Sequence, residues 1–111
     1  MKSTIEKMNK FRDDRDWRKF HNEKDLAISI SLEASELLEL FQWKESKDVT
    51  SKSLKRIKEE LADVFIYSIM LADNLNLDIE NIIDEKLEKN ARKYPVETSK
   101  GSNKKYTELE K

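Results

Sequence analysis

At 111 residues, with one glycine, one proline and no cysteine, the chain is sized for one small domain with few turns and no disulfide framework. Charged residues make up 41% of it, yet 22 basic against 23 acidic residues leave a net charge of −1, which excludes the electrostatics of a general nucleic-acid or membrane binder. No apolar run reaches transmembrane length and the start, Met-Lys-Ser-Thr-Ile-Glu, has no signal-peptide apolar region, so the sequence reads as cytoplasmic.

Ser3 followed by Glu6 predicts a capping box opening a first helix over 3–14, with Ile5, Met8 and Phe11 as its inner stripe. Residues 12–22 mix charges with Trp17, Phe20 and the only histidine, His21, and read as a connection pinned by its aromatics. Asn22 caps a second helix over 24–44, which is apolar on nearly all sides and so predicts the central helix of a bundle. Residues 45–53 read as a polar turn, because the pair Val49-Thr50 suits a helix poorly. A third helix follows over 54–75. Asn74 to Asp78 reads as a stop and restart, with Asp78 capping a fourth helix over 79–93. The inner stripe of that helix, Ile79, Ile82 and Ile83, continues as Lys86, Asn90 and Lys93, which places polar groups where partners are needed. Tyr94-Pro95 ends it. The predicted class is all-α, a four-helix-type bundle over 1–95, followed by a polar tail over 96–111 that takes up regular structure only when a ligand or partner subunit orders it. A chain this short buries a modest share of its surface, so its exposed apolar flanks call for a second copy.

Two acid-bearing segments stand out, Glu33-Ala34-Ser35-Glu36 and Glu60-Leu61-Ala62-Asp63. From Leu26 to Trp43 the only charged residues are Glu33, Glu36 and Glu39, which is unusual in so charged a chain. Positions three apart share a helix face, so Glu33 pairs with Glu36, and Glu60 with Asp63. If the two faces meet in a hairpin, four carboxylates converge where water is scarce, and they must take up protons or hold a cation. An all-oxygen set without cysteine or paired histidine favours Mg²⁺, or Mn²⁺, over zinc, and Mg²⁺ bound this way takes further ligands from substrate phosphates. A ferritin-like di-iron site is set aside because it wants two Glu-x-x-His motifs. Trp17, Trp43 and Tyr67 are candidates for holding a flat ring, though aromatics on bundle helices are more often core. Lys86, Asn90 and Lys93 are candidates for a polyphosphate tail, against a plain reading as solvated heads on buried stems. Glu39 suits a supporting role, and His21 reads as structural.

Taken together, Arg15-Asp16-Trp17, Phe20-His21, the run from Glu33 to Lys44, the run from Glu59 to Tyr67, Lys86 to Tyr94-Pro95 and Lys105 to Leu109 resemble the MazG-like all-α nucleoside triphosphate pyrophosphohydrolases, and within them the dCTP pyrophosphatase branch. The resemblance implies a helical bundle assembled as a homodimer or homotetramer that uses Mg²⁺ to split a nucleoside triphosphate, dCTP or a modified pyrimidine deoxynucleotide, into monophosphate and pyrophosphate. It places metal ligands on Glu33, Glu36, Glu60 and Asp63, with Glu33 or Glu36 as the catalytic base. It places base-pocket aromatics on Trp17, Trp43 and Tyr67, and nucleotide-facing polar groups on Lys86 and Asn90. Met8 departs from it, standing where that branch carries a histidine near the base. Two other readings stay open, a non-enzymatic helical metal-binding or interaction module and a pyrophosphohydrolase acting on another phosphorylated substrate such as phosphoribosyl-ATP.

Overall fold

A computed structural model describes residues 1–101, and among these the chain is all-α, with six helices and no strand. The last motif of the family resemblance, Lys105 to Leu109, lies outside the described residues. In chain order the elements are α1 (Lys2–Asp14), a single 3-10 turn (Arg18–Phe20), α2 (Glu23–Glu39), α3 (Ser46–Lys52), α4 (Leu54–Asn74), α5 (Ile79–Lys93) and α6 (Val96–Ser99). They form two compact units, Met1–Asn76 and a second that starts at Leu77, so the division falls inside the stop-and-restart stretch.

In the first unit α4 is the axis, with α1, α2 and α3 each packed on it. This corrects the expectation that the second helix is central. Helix α2 buries Leu26 but leaves Ile28, Leu32 and Leu38 exposed, so its all-round apolarity exceeds what α4 alone can cover. Met8 of α1, Leu26, Leu40, Val49, and Ile69, Met70 and Ala72 of α4 make up the buried apolar core. The Leu71 carbonyl accepts from the Leu75 amide at 3.2 Å and the Asp73 carbonyl from the Asn76 amide at 3.0 Å, and Asn76 takes the left-handed conformation (φ 54°) that Asn tolerates well at a helix end.

Several boundaries differ from the sequence reading. The Met1 carbonyl already accepts from the Ile5 amide at 3.0 Å, which puts Ser3 inside the first turn, where it cannot act as the cap. Helix α2 starts as predicted, with Asn22 Oδ1 accepting from the Asp25 amide at 2.8 Å, but it ends at Glu39 rather than 44. Past Glu39 the bonds tighten to three-residue spacing (Phe41 N to Leu38 O, 2.9 Å; Gln42 N to Glu39 O, 3.3 Å), and Leu40 is buried as the chain turns. The expected turn at 45–53 contains α3. Val49 is only 2% exposed, and its burial overrides the weak helix preference of a β-branched residue. The Thr50 and Ser51 hydroxyls donate back to the Lys47 and Asp48 carbonyls at 3.1 Å, which satisfies them within the helix.

In the second unit, Asp78 Oδ1 accepts from the Asn81 amide at 2.9 Å, the predicted cap, and α5 spans the predicted residues. After Pro95 the start of the tail forms the four-residue α6. No helix among the described residues is long and apolar enough to cross a membrane.

Leu26, at 1% exposure, is the largest fully buried apolar side chain and joins α2 to α4. Its replacement Leu26→Ala should lower unfolding free energy by about 2–5 kcal/mol in urea titrations, with the slope unchanged.

Candidate active site

Helices α2 and α4 bring three of the four predicted acids together. One carboxylate oxygen each from Glu33, Glu36 and Glu60 lies within 4.8 Å of the others. Glu33 Oε2 and Glu60 Oε2 are buried without a hydrogen-bond partner. Among the described residues the salt bridges go to Asp13, Asp14, Asp16 and Asp73, none of them to these glutamates. Asp63 lies one turn beyond Glu60, outside the trio, but near enough that its negative charge helps raise the proton affinity of Glu60. Glu39, exposed at the last residue of α2, adds only weak repulsion on Glu36.

Crowding changes how these acids hold protons. Glu36 is pushed above the ordinary carboxyl range, first by the hydrogen bond it shares with Glu33, then by that neighbour's charge, with a hydrogen bond from Glu60 pulling the other way. Glu60 is raised first by loss of water, then by the hydrogen bond and charge of Glu36, and weakly offset by Arg56. The Tyr67 phenol is raised by burial and by the negative charges of Glu33, Asp63 and Glu36, so it stays neutral and faces the same field. Buried, unpartnered oxygens on converging acids are the donor set of a hard divalent cation, which would replace shared protons with two positive charges.

Beside the acids is a recess of about 210 Å³, lined by Phe11, Trp17, His21, Asp63, Ile66, Tyr67 and Met70. Its rings stack edge to face in series: Phe11 to Trp17 at 5.6 Å, Trp17 to His21 at 6.5 Å and His21 to Tyr67 at 6.5 Å. Asp63 therefore joins the ring recess to the acid cluster. Sites for drug-sized ligands run from about 300 Å³ upward, so this recess fits one ring rather than a whole nucleotide. His21, read as structural from its sequence context, is one of its walls, with Nδ1 buried and unpartnered and protonation disfavoured first by burial and then by the Arg12 charge. Phe11, expected only as part of the inner stripe of the first helix, is another wall. The spacing of Phe11, Trp17 and His21 carries no periodic signal, because the three span a helix end and a loop.

An apolar cavity of about 320 Å³ shares Phe11, Ile66 and Met70 with the recess and is also lined by Met8, Thr4 and Lys7. Met8 thus presents a thioether to this cavity.

Trp43 does not join Trp17 and Tyr67. It lies beyond the end of α2, not on the acid face, in the left-handed region (φ 62°) that a bulky residue rarely adopts, and it is 97% exposed. There it lines a groove of about 600 Å³ with Lys44, Glu45, Asp48, Val49, Lys52 and Ser53. Lys86, Asn90 and Lys93 belong to the second unit, Lys86 exposed and the other two half-buried, at spacings that share one face of α5.

A model of the MazG-like family matches residues 28–109. Among curated proteins, dCTP pyrophosphatase 1 of Rattus norvegicus is 38% identical over 104 residues, covering 89% of this chain and 61% of that protein. The Homo sapiens protein of the same name is 36% identical over 104 residues, with 89% and 61% covered. This chain therefore spans about three fifths of the length of those relatives. Among solved structures, a pyrophosphatase from Archaeoglobus fulgidus DSM 4304 is 42% identical, with a TM-score of 0.82 over 86% of this chain and 92% of that one.

Raised proton affinities fix a sign for pH dependence without metal. Glu36 and Glu60 bind protons more tightly folded than unfolded, so their contribution is complete below the ordinary value of 4.5 and is lost as pH climbs through their elevated folded values. His21 has the opposite sign, since a lowered folded value favours stability above 6.5, but it is common to wild type and variants. In EDTA, Glu60→Gln should therefore match wild type in Tm near pH 4.5 and exceed it at pH 8. Adding MgCl2 or MnCl2 at pH 8 should raise the wild-type Tm and reverse that order; differential scanning calorimetry reads both.

Proposed function

The chain belongs to the MazG-like family, and from that membership we propose that it is a Mg²⁺-dependent nucleoside triphosphate pyrophosphohydrolase, with Mn²⁺ as a substitute. Its substrate is dCTP or a modified pyrimidine deoxynucleoside triphosphate, released as monophosphate and pyrophosphate. The observation that carries this reading is the Glu33, Glu36 and Glu60 trio, with two buried oxygens unsatisfied, opening through Asp63 onto a recess of aromatic rings. The relatives' names, dCTP pyrophosphatase 1 and pyrophosphatase, agree with it.

In this reading water attacks the α-phosphorus, the bond from that phosphorus to the bridging oxygen breaks, and pyrophosphate leaves. Glu33, Glu36, Glu60 and Asp63 would hold a divalent cation, which would neutralise phosphate charge and acidify water. Glu33 or Glu36 accepts the proton as the nucleophile forms. Asp63, at the recess wall, would be the fourth acid of that set. Trp17 and Tyr67 hold the base by its faces and edges. The assignments of Trp43 to the base, and of Lys86, Asn90 and Lys93 to the phosphates, rest on the family resemblance. Met8 makes the adjoining wall apolar, which favours a substituted pyrimidine over reading of cytosine's own polar edge.

The same reading includes assembly with a second copy, as a homodimer or homotetramer. Its support is the apolar surface that α2 leaves uncovered, Ile28, Leu32 and Leu38, together with Leu61 and Phe65 of α4. Light scattering should give two or four times the 13.2 kDa chain mass, and a mass of 13.2 kDa would refute assembly.

Incubation with Mg²⁺ and a panel of ribo- and deoxynucleoside triphosphates should yield monophosphate and pyrophosphate in equal amounts, and none in EDTA. Glu36→Gln should lower kcat by about 10²-fold or more while far-UV circular dichroism is unchanged. Orthophosphate as product, or no turnover by the folded protein, refutes the reading.

A further inference from the structure

We propose that Arg12 is a positioning residue for nucleotide recognition, its buried guanidinium clamping the Trp17–His21 segment to the end of α4; this deepens the pyrophosphohydrolase reading and rests on it. Arg12 is 0% exposed, and with Nη1 buried and unpartnered its hold on the fold rests on Nε and Nη2. Nε donates to Asn9 Oδ1 at 3.0 Å, and Nη2 donates to Asp73 Oδ2 at 3.3 Å and to Asn74 Oδ1 at 3.1 Å. Asn9 Nδ2 donates to the same Asp73 oxygen at 3.0 Å, closing a ring of side chains between α1 and α4.

Two bonds extend this ring to the recess. Asn74, oriented by Arg12, donates from Nδ2 to the His21 carbonyl at 2.7 Å, and the Arg12 carbonyl accepts from the Trp17 amide at 2.8 Å. Those residues bound the segment that supplies two of the recess's rings. Between them is only one 3-10 turn, so the segment has no extended ladder of its own to fix its orientation. The clamp is also remote from the acids. Asp73 is ten residues past Asp63 on one helix, about 15 Å along its axis. Loss of the clamp should loosen ring binding and leave cation binding alone.

The test compares wild type with Arg12→Lys, which keeps the charge but not the forked donor set, and Asn74→Leu, which cuts the His21 link without removing a charge. Each hydrogen-bond loss at a charged group corresponds to about a tenfold change. KM for the best nucleotide should rise about tenfold in each, while kcat at saturation and Mn²⁺ affinity by electron paramagnetic resonance stay within about twofold. A parallel fall in kcat, Mn²⁺ affinity and Tm would reduce Arg12 to a fold-stabilising residue, and unchanged KM in folded Asn74→Leu would overturn the clamp outright. A readout independent of turnover uses the chain's one histidine, whose ring protons need no assignment. In proton NMR the His21 lines should be single and narrow in wild type and broadened or doubled in Asn74→Leu. Identical lines overturn the clamp. If wild type turns over no nucleotide, the functional reading falls alone and these lines still decide the clamp.

Discussion

Repulsion among like charges is the constraint that the first unit is built to contain. Glu33, Glu36 and Glu60 sit within 4.8 Å of one another on two packed helices, and apolar contacts such as that of Leu26 hold those helices together against it. Without a cation, the relief available is protonation, which is why Glu36 and Glu60 both hold protons more tightly than usual. A fold optimised for stability alone would fill these positions with leucine. Retaining the acids is the mark of a site where strain is traded for function.

Helix α4 distributes that function along its length. Glu60 and Asp63 come first, Tyr67 one turn later, then the core residues Ile69, Met70 and Ala72, and finally Asp73 and Asn74. On the proposed function, charge chemistry, ring recognition and the anchoring of the aromatic loop are therefore carried on one helix. Their relative spacing is fixed by the rise of the helix rather than by loop conformation. Helices α1, α2 and α3 all pack on this same helix, so each meets the others' environment through α4.

Much of this was legible in the sequence, for identifiable reasons. The acid pairs were visible because charge inside an apolar run is improbable unless something requires it, and three-residue spacing fixes a shared face. Asn22 and Asp78 were legible because their side chains serve the local backbone. What depends on tertiary contact was not. Val49 is helical because α4 covers it, which no window around 45–53 reveals. Trp43 looked like one more residue on a helical face until the burial of Leu40 ended α2 and carried it past the turn. Arg12 gave no signal at all: it stands in Arg-Asp-Asp-Arg-Asp, where a solvated charge is the ordinary reading, and its two partners on α4, Asp73 and Asn74, are more than 60 residues away.

The two kinds of wall around the ring recess differ in how sharply they can choose. Apolar surface, here Phe11, Ile66, Met70 and the neighbouring Met8, distinguishes ligands by size and discriminates by only about 10–200-fold per methylene. Polar groups that would be left unpaired by the wrong ligand discriminate far more strongly, by about 10⁴–10⁵. Asp63, His21 and the Tyr67 phenol are the polar members of the recess, and of these Asp63 and the phenol feel the acids most directly. On the proposed function, selectivity should therefore be strict where a ligand meets Asp63 and the Tyr67 phenol and permissive where it meets Phe11, Ile66 and Met70.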